Sequence, residues 1–205
     1  MTSESSTPHG LRLSERITFA CATTAEVRAA ARAGFRASLI GLAGINGLPE
    51  GDLVSFGLAG ALDGCPTGTV IDATRVVDEQ GNVLWEGKPL GIPGAVRGTI
   101  LAAERVVDDP EERARLYRLT GADAVDLESG PLARSGRLRG VVRAVSDTPE
   151  RPLHGICAAV RPDGHYDWAG LAGAFARAPR GFAQAASDAR HALSELTRTL
   201  AGWRS

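Results

Sequence analysis

Short apolar runs alternate along the chain with stretches in which apolar positions recur at helical spacing. Ile17 to Ala22 predicts a strand, and Thr23 or Thr24 is placed to cap a helix through Val27 to Ala33 that Gly34 stops. Arg36 to Leu42 predicts a second strand, followed by a Gly-rich connection from Gly41 to Gly51. Asp52 to Leu58 predicts a third, running into a small-residue turn, Gly57-Leu58-Ala59-Gly60. After Pro66 and Gly68, Thr69 to Val77 is the next strand, and Glu79-Gln-Gly-Asn82 is a turn signal. Gly87 to Gly98 predicts a loop, and Thr99 to Ala103 a buried strand.

Asp108 and Asp109 before Pro110 start a helix that runs to Thr120-Gly121. Ala124 to Leu127 and Gly140 to Val145 predict strands separated by a short helical or looped piece, Ser129 to Gly136. Arg151 to Gly164 is irregular. Two helices close the chain, about Trp168 to Ala178 and Gly181 to Leu200, the latter with Phe182, Ala185, Ala189, Leu193, Leu196 and Leu200 on one face. Strands alternating with helices predict an α/β domain around a largely parallel or mixed sheet. Residues 1–14 are expected to form a disordered leader and residues 15–205 one domain.

Composition narrows the classes. Lys and Arg total 23 against 24 Asp and Glu, a net charge of −1, so nothing electrostatic points to nucleic acid. No apolar stretch reaches the roughly 20 residues that span a bilayer, and no apolar segment of signal-peptide type stands near Met1. Cys21, Cys65 and Cys157 are odd in number and irregularly spaced, which argues against a disulfide framework or zinc site. His9, His154, His165 and His191 are dispersed, so no metal is expected. The expectation is a soluble cytoplasmic domain.

Candidate chemistry concentrates on carboxylates. Glu128 and Asp147 follow apolar strands, at the strand ends where open α/β sheets bind ligands. The pair reads as a two-carboxylate site for cutting a glycosidic bond. Other readings stay open: Glu128 as the cap of the next helix or partner of an arginine such as Arg143, Asp147 as a turn former, Glu26 as a complement to a helix dipole. Trp85 is a pocket, subunit-contact or packing residue. No GxGxxG, P-loop or GxSxG is present.

Four segments in order resemble the nucleoside phosphorylase and nucleosidase family: Ile17 to Glu26, Ser55 to Leu62, Ala124 to Ser129 and Val142 to Asp147. Gly121 to Ser129, Arg143 to Leu153, and the tail with Arg161-Pro-Asp-Gly164 are most similar to the hopanoid-associated phosphorylase branch. The resemblance covers nearly everything from Arg16 onward. It implies a single-domain nucleoside phosphorylase-like fold, a central mixed twisted sheet flanked by helices.

It further implies cleavage of the N-glycosidic bond of an adenosine-type nucleoside, with an adenosylhopane as the specific substrate and 5'-thioadenosines next. Glu128 falls where the family holds the ribose hydroxyls. Asp147, with Ser146 beside it, falls where an acid meets the purine N7, which requires a protonated carboxyl raised by burial. Glu26 matches the carboxylate that activates water and must stay ionised. Gly57, Ala59 and Gly60 match the small-residue loop near the ribose, and Leu127 and Val107 complete the substrate-binding candidates.

No cofactor is implied beyond phosphate as a co-substrate, and a homodimer or larger homo-oligomer is expected, with Asp78 to Pro93 as the contact. Ser55 stands where phosphorolytic relatives carry an arginine, which tilts the reading toward water, although Arg28 or Arg32 is a second source of charge. The segment Ile40 to Val54 is short for the family, which carries the alternative of a purine-nucleoside-binding protein without turnover.

Overall fold

A computed structural model describes residues 17–153 and 160–203. The expected leader, His9, His154 and Cys157 lie outside the described residues. The strands are β1 (Thr18–Cys21), β2 (Ala37–Leu39), β3 (Leu53–Ala61), β4 (Val70–Val77), β5 (Val83–Glu86), β6 (Val96–Ala102), β7 (Ala124–Asp126) and β8 (Leu138–Asp147). The helices are α1 (Thr24–Arg32), α2 (Pro110–Thr120), α3 (Ser129–Arg134), α4 (Trp168–Arg177) and α5 (Pro179–Trp203).

All the strands join one mixed sheet, as the α/β expectation requires. β8 pairs in parallel with β3 and antiparallel with β4, while β4–β6, β6–β7 and β3–β7 pairings complete a ring of strands. β1 and β2 extend it from β3, and β5 from β4. Side chains alternate across each strand, so β3 and β8 serve two cores. Leu53, Ala59, Val141 and Val145 pack with Ile71, Ile100 and Leu132 on one side. Val54, Phe56, Val142 and Ala144 pack with Leu196 and Leu200 of α5 on the other.

Local chemistry explains the helix ends. Thr23 and Glu26 form a reciprocal capping box at the start of α1. Asp109 caps α2 by accepting from the Glu112 N–H, Pro110 opens it, and Gly121 closes it at φ 65°, a left-handed conformation that a Cβ disfavours.

Several sequence expectations are corrected. Gly57 to Gly60 is not a turn: it lies inside β3, whose ladder with β8 continues to Gly60. Val83 to Glu86 is a strand, and β6 begins at Val96, inside the expected loop. Both gain their pairing from β4, a tertiary contact that local composition does not announce. β2 stops at Leu39, and Leu42–Gly44 forms a 3-10 turn with Gly41 at φ 71°. Trp85 takes the packing role: it is partly buried against the core, and its Nε1 donates to the Leu138 carbonyl at 3.1 Å.

Among the described residues no helix is long and apolar enough to cross a membrane.

Candidate active site

Two charged clusters lie on the β3–β8 wall, each facing a glycine. Gly57 stands opposite Arg143 in the ladder, and an irregularity between Ala59 and Gly60 sets Gly60 opposite Asp147. A Cβ on Gly57 would sit 2.3 Å from Glu26 Oε1 and 2.6 Å from Arg143 Nη1. A Cβ on Gly60 would sit 2.6 Å from Asp147 Oδ2 and 3.1 Å from Arg113 Nη2. The missing side chains are therefore the room in which the ionic groups meet.

Arg143 is fully buried and organises the first cluster. Its Nη2 lies 2.6 Å from Asp126 Oδ2 and 3.4 Å from Glu128 Oε2, and donates to Ser55 Oγ at 2.7 Å. Asp126 is held in turn by the Ser129 N–H at 3.1 Å and by the Ser129 hydroxyl. Glu128 occupies the cap position of α3 without capping it: its Oε1 accepts from the Ala43 N–H at 3.4 Å. Burial pushes the Glu128 carboxyl well above its ordinary range; Arg143 opposes the shift and the neighbouring Asp126 and Glu26 add to it.

Glu26 is 4% exposed. Its Oε2 accepts from the Thr23 N–H at 2.8 Å and its Oε1 from the Leu58 N–H at 2.9 Å. Burial raises its carboxyl above the ordinary value, against the pull of Arg143 and those two donors. Helix capping and site placement are thus combined in one side chain.

The second cluster belongs to Asp147, at the end of β8. Arg113 of α2, fully buried, sets its Nη2 against Asp147 Oδ2, while Nη1 donates to the Ala61 carbonyl at 3.1 Å and Nε to the Val107 carbonyl at 3.0 Å. Ser146 Oγ donates to Asp147 Oδ1 at 2.7 Å. Both carboxyl oxygens of Asp147 therefore have partners, one of them a guanidinium.

A cavity of about 250 Å³ opens between these clusters. Of the residues chosen from the sequence, Glu26, Ala59, Gly60, Val107, Leu127, Glu128, Ser146 and Asp147 line it. Gly57 does not; it lies behind, against Glu26 and Arg143. Leu42, Leu153, Val160 and Leu193 supply apolar wall, and Tyr166 stands near Glu26, its phenol raised by partial burial and, after that, by the Glu26 carboxyl. Sequence reasoning did not assign roles to Asp126, Arg113 or Tyr166. An arginine inside an apolar strand, as in Val141-Val-Arg-Ala-Val145, signals a buried ion pair; Arg113, in the charged helix start Pro-Glu-Glu-Arg, carries no such signal.

No family model matches the chain, and no curated protein matches it. Solved structures do. The 5'-methylthioadenosine/S-adenosylhomocysteine nucleosidase of Neisseria meningitidis, in complex with methylthio-immucillin-A, is similar with a TM-score of 0.60 at 16% identity, over 92% of this chain and 97% of that one. The S-adenosylhomocysteine nucleosidase of Streptococcus pyogenes, in complex with 5-methylthiotubericidin, gives 0.58 at 14%, over 92% and 95%. Futalosine hydrolase of Helicobacter pylori gives 0.52 at 13%, over 90% and 96%. At these identities the likeness is one of fold: the chain has the fold of the purine nucleosidases.

Proposed function

We propose that this protein cleaves the N-glycosidic bond of a purine nucleoside of the adenosine type. The observation that carries the reading is the convergence of Glu26, Glu128 and Asp147 on one cavity in a fold shared with nucleosidases. Breaking the bond from C1' to N9 builds positive charge on the sugar and negative charge on the departing base. Glu128, held by Arg143, is the carboxyl that accepts from the ribose hydroxyls. Ser146 and Asp147 face the base at N7, where a proton relieves the leaving charge. Glu26 takes the proton of the attacking nucleophile, and a raised carboxyl is the better base for it.

The nucleophile in this reading is water. Of the arginines lining the cavity, Arg113 is engaged by Asp147 and Arg105 by Glu112. Arg143, buried behind it, is engaged by Asp126, Glu128 and Ser55, so among the described residues none of these guanidiniums is left unpaired for a phosphate dianion beside Glu26. The apolar wall of Leu153, Val160 and Leu193 supports an apolar 5' substituent. Within that class the resemblance of the third and fourth segments favours adenosylhopane, with 5'-thioadenosines next.

A second reading rests on the Arg113–Asp147 pair, which engages the expected proton donor: a protein that binds purine nucleosides without turning them over. One assay separates the readings. Incubation with methylthioadenosine, adenosine and inosine, with and without phosphate, is expected to release free base and free sugar, with loss of turnover in Glu26→Gln. Binding by calorimetry with no base released in either buffer selects the second reading. Sugar 1-phosphate as product overturns water.

A further inference from the structure

A second concavity, about 500 Å³, lies between α1 and α5, outside the carboxylate cavity. One face of α1 enters it with Ala25, Arg28, Ala29 and Arg32, and one face of α5 with Arg190, Leu193, Ser194, Thr197 and Arg198. Both sets follow helical spacing, so the arginines project from opposite walls into the same space over a floor of Ala25, Ala29 and Leu193. In a chain with 23 basic and 24 acidic residues, a groove lined by four arginines and no carboxylate is a local charge imbalance. Arg198 is paired with Glu195. Among the described residues, Arg28, Arg32 and Arg190 have no ion pair, although surface arginines elsewhere, such as Arg139 and Arg151, do.

We propose that this groove is a binding site for a small phosphate-bearing ligand. Three unpaired guanidiniums call for a ligand carrying two to three negative charges on several oxygens, which a phosphate monoester or pyrophosphate provides and a lone carboxylate does not. Guanidinium forks bind phosphate oxygens bidentately. The Ser194 hydroxyl adds a neutral donor at the rim. The groove volume falls within the range of small-molecule sites, and its concavity suits a soluble ligand better than a flat lipid surface. The ordinary alternative, a solvated basic face, leaves unexplained why two helices aim their arginines into one concavity with no acid between them.

The test uses inorganic pyrophosphate as probe, titrated into the full chain by calorimetry while sodium chloride holds ionic strength constant. Saturable binding is expected, weakened at least about tenfold in Arg32→Gln/Arg190→Gln, since each lost charge-assisted bond is worth more than a factor of ten. These side chains are exposed, so circular dichroism and the melting temperature without ligand should be unchanged. A second variant, Ser194→Asp, places a carboxylate in the groove and should abolish binding. Equal affinity in wild type and variants, or no binding at constant ionic strength, overturns the site. Adsorption to phosphatidic-acid vesicles without pyrophosphate binding also overturns it as a small-ligand site. The readout needs no nucleoside, so it stands or falls independently of the proposed reaction.

Discussion

Arg113 reaches from α2 through the interior to place a guanidinium on Asp147, at the end of β8. The same side chain donates to the carbonyls of Ala61 and Val107, so one residue ties the helix, the rim of β3 and the acid together. Removing one member of such a pair leaves the other charged group without its counterion. Arg113→Met is expected to cost about 3–5 kcal/mol in urea unfolding. Arg113→Met/Asp147→Asn should recover part of that loss. A double variant no more stable than the single one would show that Arg113 acts through its carbonyl contacts alone.

Asp147→Asn keeps the shape and the Ser146 contact while removing the carboxyl that the proposed reaction places at N7. Release of adenine from methylthioadenosine should fall about a hundred- to ten-thousand-fold. The unfolding midpoint should stay near that of Asp147→Ser, which also ends the ion pair. Full activity in Asp147→Asn would assign the proton at N7 to another group.

Glu26 and Glu128 are both held above the ordinary carboxylate range by burial. Each therefore binds its proton more tightly folded than unfolded. Its contribution to stability is complete below the ordinary glutamate range, about pH 4.3, and is lost as pH rises through the folded value. Stability of Glu128→Gln relative to wild type should accordingly improve as pH rises above that range, measured by urea midpoints at matched salt. Parallel curves would mean that Arg143 cancels the effect of burial.

Gly57→Ala places a methyl where Glu26 and Arg143 already stand. Forcing them apart is expected to cost about 1–3 kcal/mol, and turnover should drop with it because Glu26 is displaced. Gly64→Ala, where a Cβ meets nothing within 4 Å, is the control and should change neither. If Gly57→Ala matches that control, the contact gives way without consequence.

Much of this arrangement can be read from the chain. The Thr23 and Asp109 caps, the Gly121 stop and the order of strands and helices follow from local chemistry, and the acids stand out because they follow apolar runs. The same locality limits the reading. Gly57 and Gly60 resemble a turn because glycine is common in turns, yet they are strand residues kept small by groups arriving from α1, α2 and β8. Val83 to Glu86 lacks a continuous apolar face, with exposed ends, and is a strand only because β4 offers an edge. Arg113 looks like a solvated helix residue, and only the tertiary packing of α2 through Leu116, which brings the guanidinium to Asp147 and to the Ala61 and Val107 carbonyls, makes it interior.

The double pairing of β8 has one more consequence. Arg143 and Asp147 alternate with Val142 and Ala144 along this strand, and partners on both flanks fix its phase. A slip of a single residue would turn the two charges toward the oily helix layer and strand their counterions. Ion pairing inside this protein is therefore a matter of alignment: the backbone ladder decides which charges meet, and misaligned forms exclude themselves.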